Sequence, residues 1–157
     1  MAGHDISAGG LITTLLEMCF SNMEGGMEIS LNKIKEDDII KILFAENPGI
    51  VIQVKDKHKE EVKKILEDAG IGYVKLGKPT EERHILVEKG DATYQLGIDY
   101  LRDVWYSTSY LLDRKQSMNG CAKKRFENYK KQPLEFVFDK SFTGKLSQFG
   151  LNPDRRT

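Results

Sequence analysis

The segment Gly3-His4-Asp5-Ile6-Ser7-Ala8-Gly9-Gly10-Leu11 places a carboxylate, a hydroxyl and two glycines directly ahead of an apolar helical pattern. Unpaired N–H groups and the positive end of the helix dipole favour an anion there, and glycines let the backbone approach it closely. An aspartate just upstream can hold Mg2+, which takes few carboxylates and completes its shell with water and substrate oxygens. The Ser7 hydroxyl can donate to the same phosphate or to a nucleotide. Asp5 is thus a candidate Mg2+ ligand, and Ser7, Gly9 and Gly10 are candidate nucleotide contacts. A second reading stands beside it: Asp or Ser before a helix is an ordinary N-cap, and Gly-Gly an ordinary bend. His4 taken alone is more often a hydrogen-bonded or exposed ring than a ligand.

The two cysteines, Cys19 and Cys121, have neither CxxC spacing nor histidines close by in sequence, which argues against a disulfide or a zinc site. Cys19 falls inside an apolar helical pattern, where a free thiol packs as a small hydrophobe. Cys121 precedes basic residues that could lower its pKa, but no catalytic partner is visible beside it.

A chain of 157 residues is about one domain, with room for a real core. Its 39% hydrophobic and 31% charged composition is that of an ordinary soluble protein, and no apolar run approaches the roughly 20 residues that span a bilayer. The opening has no basic stretch followed by an apolar run, so a cytoplasmic setting is expected, with no membrane partner. Net charge is zero, but the first hundred residues hold 12 basic and 18 acidic groups and the remaining 57 hold 12 and 6. The basic residues of the second part are interleaved with Phe126, Glu127 and Tyr129 at helical spacing, which reads as a solvated helix face rather than a nucleic-acid tail.

The elements that must position the Asp5 segment follow from periodicity. Leu11, Leu15, Cys19 and Met23, with Ile12, Leu16 and Phe20, make two adjacent rows on a largely buried helix. Met27, Ile29 and Leu31 alternate with polar residues as a half-buried strand. Asp37 or Asp38 can cap a short helix carrying Ile39, Ile40, Leu43 and Phe44, which stops at Asn47-Pro48-Gly49. The β-branched run GIVIQV, residues 49–54, suggests a central strand. A helix over 56–70 should bury Val62, Ile65, Leu66 and Ala69, and 71–76 should follow as another strand. Residues 83–88 and 92–96 predict a hairpin around Lys89-Gly90-Asp91. Helices are expected from Ile98 and from about Asn119 to Lys131, where Pro133 ends the pattern. The order suggests an α/β (α+β) sandwich with a mixed sheet, and the segment 49–76 suggests a ferredoxin-like part.

GHDISAGGLITTLLEMCFS resembles the HD-x-S-x-GGL segment of the phosphoribosylformylglycinamidine synthase family. LFAENPGIVIQV, the Arg102-Asp103-Val104-Trp105 helix and the ending GKLSQFGLNPDRRT are similar to further stretches of that family, so the resemblance covers nearly the whole chain. It implies a C-terminal-type domain of the aminoimidazole ribonucleotide synthetase superfamily, a three-layer α/β unit lying just before a glutaminase domain. Residues 1–133 would form the domain and 134–157 a strap and linker. The family reaction converts formylglycinamide ribonucleotide, with ATP and glutamine, into the amidine in purine synthesis. Carried onto this chain, Asp5 matches the family's Mg2+-binding aspartate, Ser7 its nucleotide-contacting serine, and Gly9 and Gly10 the loop that closes on phosphate. Ala8 departs from the pattern, since many members carry a second Asp there. The implied cofactors are Mg2+ and ATP or ADP, shared with other domains of the parent polypeptide, and a fragment of this kind could self-associate through exposed apolar patches. No catalytic residue is expected in it, because the glutaminase needs a Cys, a His and a carboxylate that this chain does not supply. The competing reading is a stand-alone ferredoxin-like module that binds a small molecule or another protein without catalysis.

Overall fold

The computed structural model describes residues 2–131, 137 and 139–150. Eleven strands and helices follow one another: β1 (Ala2–Ile6), α1 (Gly10–Phe20), β2 (Gly26–Ser30), α2 (Ile39–Phe44), β3 (Gly49–Gln53), α3 (Lys59–Asp68), β4 (Gly77–Thr80), β5 (His84–Lys89), β6 (Ala92–Gly97), α4 (Ile98–Gln116) and α5 (Cys121–Asn128). Short 3-10 turns occupy Asp56–His58, Tyr129–Lys131 and Leu146–Phe149. The architecture is α+β, a mixed sheet with helices, as the order of elements predicts.

The larger sheet runs β4-β2-β5-β6, with β2 parallel to β5 and the other pairs antiparallel. Period-two alternation sends Ile29, Leu31, Ile85 and Val87 into one hydrophobic cluster, where they meet Leu11, Ile12, Leu15, Leu16 and Cys19 of α1. Each fully buried aliphatic side chain of this kind stabilises the fold by about 1.5–3 kcal/mol relative to exposure. Ile6 of β1 and Val51 of β3 pack against the same cluster. α1 is thus the element shared by the sheet and by a separate antiparallel ribbon made of β1 and β3. The cysteine reading holds at Cys19, which is buried and whose thiol is pushed up in pKa by that burial. Cys121 is exposed at the start of α5.

Local signals held where chemistry specified them. Asp38 caps α2, its Oδ1 accepting from Ile40 N at 2.9 Å and Lys41 N at 3.4 Å. Asp38→Ala leaves both donors without that acceptor, and the expected result is a loss of about 1 kcal/mol, read as a lower urea midpoint at unchanged slope. The hairpin of β5 and β6 turns at Gly90, whose φ of 58° lies in the left-handed region.

Three expectations are corrected. GIVIQV is not a central strand: β3 pairs with β1 alone, and Ile50 stays 74% exposed. β-branched residues favour extended backbone but say nothing about how many neighbours it finds. Residues 71–76 lie outside the sheet ladders, and β4 begins at Gly77 instead. A Cβ at Gly77 would stand 1.8 Å from the Glu28 carbonyl oxygen, so glycine decides where this edge can approach β2. The stripe Val62, Ile65, Leu66 and Ala69 is not buried: α3 buries no residue, and Ile65 is 59% exposed. The unit of strand, helix and strand expected over 49–76 is therefore not assembled there, and among the described residues the parallel pair is β2 with β5. The helix after Asn119 begins at Cys121 and passes into the 3-10 turn before Lys131. Pro133, Phe136 and Phe138, and the proposed boundary at 133/134, lie outside the described residues. No helix among the described residues is long and apolar enough to cross a membrane.

Candidate functional site

The segment from Asp5 to Gly10 is a strand, a turn and a helix start. β1 ends at Ile6, and Gly10 N donates to Ser7 O at 3.0 Å to close the turn. Gly9 and Gly10 have φ of 84° and 73°, a conformation that costs an L side chain about 1–2 kcal/mol. Two threonines one turn into α1 reach back: Thr13 Oγ1 donates to Gly9 O at 3.1 Å, and the buried Thr14 Oγ1 lies 3.0 Å from Asp5 O and 3.3 Å from Gly10 O. The backbone carrying Asp5 is thereby fixed to the helix it precedes.

The capping alternative is settled by position. Gly9 is the N-cap residue of α1 and, as a glycine, has no side chain to cap that end, while Asp5 belongs to β1. The Asp5 side chain is 72% exposed, opposite Ile50 in the ribbon register, and Ser7 and Ala8 are exposed in the turn. Asp5, Ser7, Gly9 and Gly10 therefore stand together at one end of a buried helix.

Glu46, which the sequence reading passed over, and His4, which it read as a hydrogen-bonded or exposed ring, complete the place. Glu46, in the loop between α2 and β3, accepts a hydrogen bond from Gly9 N on its Oε1 at 2.8 Å. A carboxylate of the chain itself thus occupies an amide of the turn ahead of α1. The signal for it was the acidic residue inside LFAENPG, but only the fold brings position 46 to position 9. His4 bridges elements: its Nδ1 is 2.8 Å from Asp5 O and its Nε2 3.2 Å from Glu17 Oε2 on α1. Beside the turn lies an open depression of about 650 Å³ lined by Ile6, Leu11, Ile34, Ile40, Phe44 and their neighbours.

Among the described residues no group of three or more His, Cys, Asp or Glu could hold a metal ion. The one carboxylate the turn presents to solvent is Asp5, and Mg2+ is an ion that takes few carboxylates and completes its shell with water and other oxygens.

A mixed sheet with helices, entered through a glycine turn behind an exposed aspartate, defines a class. Residues 1–89 match the family described as AIR synthase related protein, C-terminal domain, and the chain belongs to that family. It is 36% identical over 125 residues, 77% of its length, to human phosphoribosylformylglycinamidine synthase, and 32% identical over 149 residues, 83% of its length, to the Dictyostelium discoideum enzyme of the same name. The chain spans 9% and 11% of the lengths of these two relatives.

Proposed function

We propose that this chain is a domain of a phosphoribosylformylglycinamidine synthase, in which it contributes part of a Mg-nucleotide site. The parent reaction is the ATP- and glutamine-dependent conversion of formylglycinamide ribonucleotide to formylglycinamidine ribonucleotide in purine synthesis, in the cytoplasm. In this reading residues 1–133 are the domain and 134–157 the strap toward a glutaminase domain. The observation that carries the site is the exposed Asp5 at the end of β1, one turn ahead of a buried helix whose N-cap is Gly9.

Asp5 would contribute one oxygen to Mg2+, the ion neutralising phosphate charge. Ser7 would donate its hydroxyl to the nucleotide, and Gly9 and Gly10 would let phosphate approach the helix start. The Glu46 carboxylate, seated on Gly9 N, has to be exchanged for an incoming phosphate, which lowers affinity. The other carboxylates and much of the nucleotide pocket would come from other domains of the same polypeptide. The isolated chain is accordingly inactive as a synthase and binds nucleotide weakly. Exposed apolar groups at Ile40, Phe44, Ile50 and Ile52 support a surface that other domains, or a second copy, would cover.

Calorimetric titration with Mg·ADP and Mg·ATP tests the site. The expected result is weak binding by the chain that Asp5→Ala reduces at least about tenfold, a difference of about 1.4 kcal/mol. Equal binding by Asp5→Ala would remove the metal role of Asp5.

A further inference from the structure

Away from the glycine turn, the loop between β2 and α2 gathers main-chain oxygens around a single point. The Lys89 ammonium, at the tip of the hairpin of β5 and β6, lies 2.7 Å from Glu36 O, 2.9 Å from Ile34 O and 3.4 Å from Leu31 O. An ammonium has three N–H donors and no acceptor, so three carbonyls match its whole donor set. The two shorter contacts have the length of charge-assisted hydrogen bonds. The arrangement is held from both sides. Gly90 N donates to Asn32 Oδ1 at 2.7 Å, and Leu31 N donates to Glu88 O at 2.9 Å. Leu31 is fully buried, and Ile34 packs against the core. Beyond the oxygens the Glu36 carboxylate accepts from Asp37 N and Asp38 N, leading directly into the capped start of α2.

Neutral carbonyl oxygens converging from one loop are the ligand set of a weakly hydrated monovalent cation such as K+ or NH4+, and divalent Mg2+ prefers carboxylate and water. We propose that the carbonyls of Leu31, Ile34 and Glu36 form a monovalent-cation site whose occupant in this chain is the tethered Lys89 ammonium. The tether makes the site permanently filled, so the loop that leads into α2 keeps its shape whatever the salt. Removing the side chain leaves the oxygens converging on solvent and opens the site to a free cation.

The test compares the full chain with its Lys89→Ala variant in choline, sodium, potassium and ammonium chloride at equal ionic strength, by thermal unfolding. The wild type is expected to unfold at the same temperature in all four salts. The variant is expected to unfold about 3–6 °C lower in choline chloride and to recover at least half of that, saturably, in potassium or ammonium chloride. An equal response to all salts, or no loss in choline, would overturn the proposal. A second measurement does not depend on the variant folding. Nitrogen-15 NMR of the wild type should show the Lys89 ammonium protons protected from exchange with water, and a freely exchanging ammonium would equally overturn the assignment.

Discussion

Gly10→Ala should destabilise the chain by about 2–5 kcal/mol, enough to abolish much of a typical domain's margin. Gly10 has φ of 73°, which alone costs an alanine about 1–2 kcal/mol. Its added Cβ would also stand 2.7 Å from Leu43 O and from the Phe44 carbonyl carbon, so the end of α2 would have to move. Backbone cannot rotate aside as a side chain can, and Leu43 is part of the buried cluster. Two other glycines with positive φ calibrate the claim. At Gly9 the nearest atom to a new Cβ is Thr13 Oγ1 at 2.3 Å, the end of a side chain that can turn away at the loss of its bond to Gly9 O. At Gly70, with φ of 65° and nothing within 4 Å, only the backbone strain remains. Urea unfolding should therefore order the midpoints as Gly70→Ala above Gly9→Ala above Gly10→Ala. If Gly10→Ala matched Gly70→Ala, α2 would not press on the turn, and the turn carrying Asp5 would be looser than this geometry says.

That ordering shows what could be read from the chain and what could not. The glycine turn was legible because Asp5, Ser7, Gly9 and Gly10 are contiguous, and a strand followed by a helix fixes their mutual placement. The Asp38 cap and the Gly90 turn were legible for the same reason, since their partners lie two or three residues away. Glu46 was not, because its bond to Gly9 spans 37 residues and depends on α2 docking against Gly10. The apolar stripe of α3 shows the limit from the other side. Periodicity identifies a face able to be buried, and in this helix Val62 and Leu66 are only half-buried while Ile65 stays exposed. The same limit applies to GIVIQV, where composition gave the extended backbone and pairing with β1 alone gave the exposure.

Arg102→Ala is expected to cost about 3 kcal/mol or more, with the damage concentrated where α5 packs on α4. Arg102 is 6% exposed, and its guanidinium carbon lies 3.7 Å from the ring centre of Tyr129, 4.6 Å from that of Tyr106 and 5.2 Å from that of Phe126. Nη1 donates to Phe126 O at 3.0 Å and to Asp103 Oδ1 at 3.1 Å. Each desolvated cation–π contact contributes about 1–2 kcal/mol, and truncation also leaves a void between rings and an acceptor without its donor. The consequences run further along one polar chain. Tyr129 donates to Asp99 Oδ1 at 3.0 Å, Asp99 pairs with Arg83 Nε at 3.1 Å, and Arg83 Nη1 donates to Cys19 O at the end of α1. Burial and the Asp99 bond push the Tyr129 hydroxyl up to about 12. Arg102→Ala acts on that value in two opposite directions, since loss of the Arg102 cation raises it and exposure of the ring lowers it. Arg102→Met separates the two contributions, because methionine fills much of the space without charge or donors. If Arg102→Met restored full stability, volume alone would hold α5 in place. If it recovered less than half, the planar cation between three rings is what fixes the C-terminal helices to α1, and through α1 to the turn that carries Asp5.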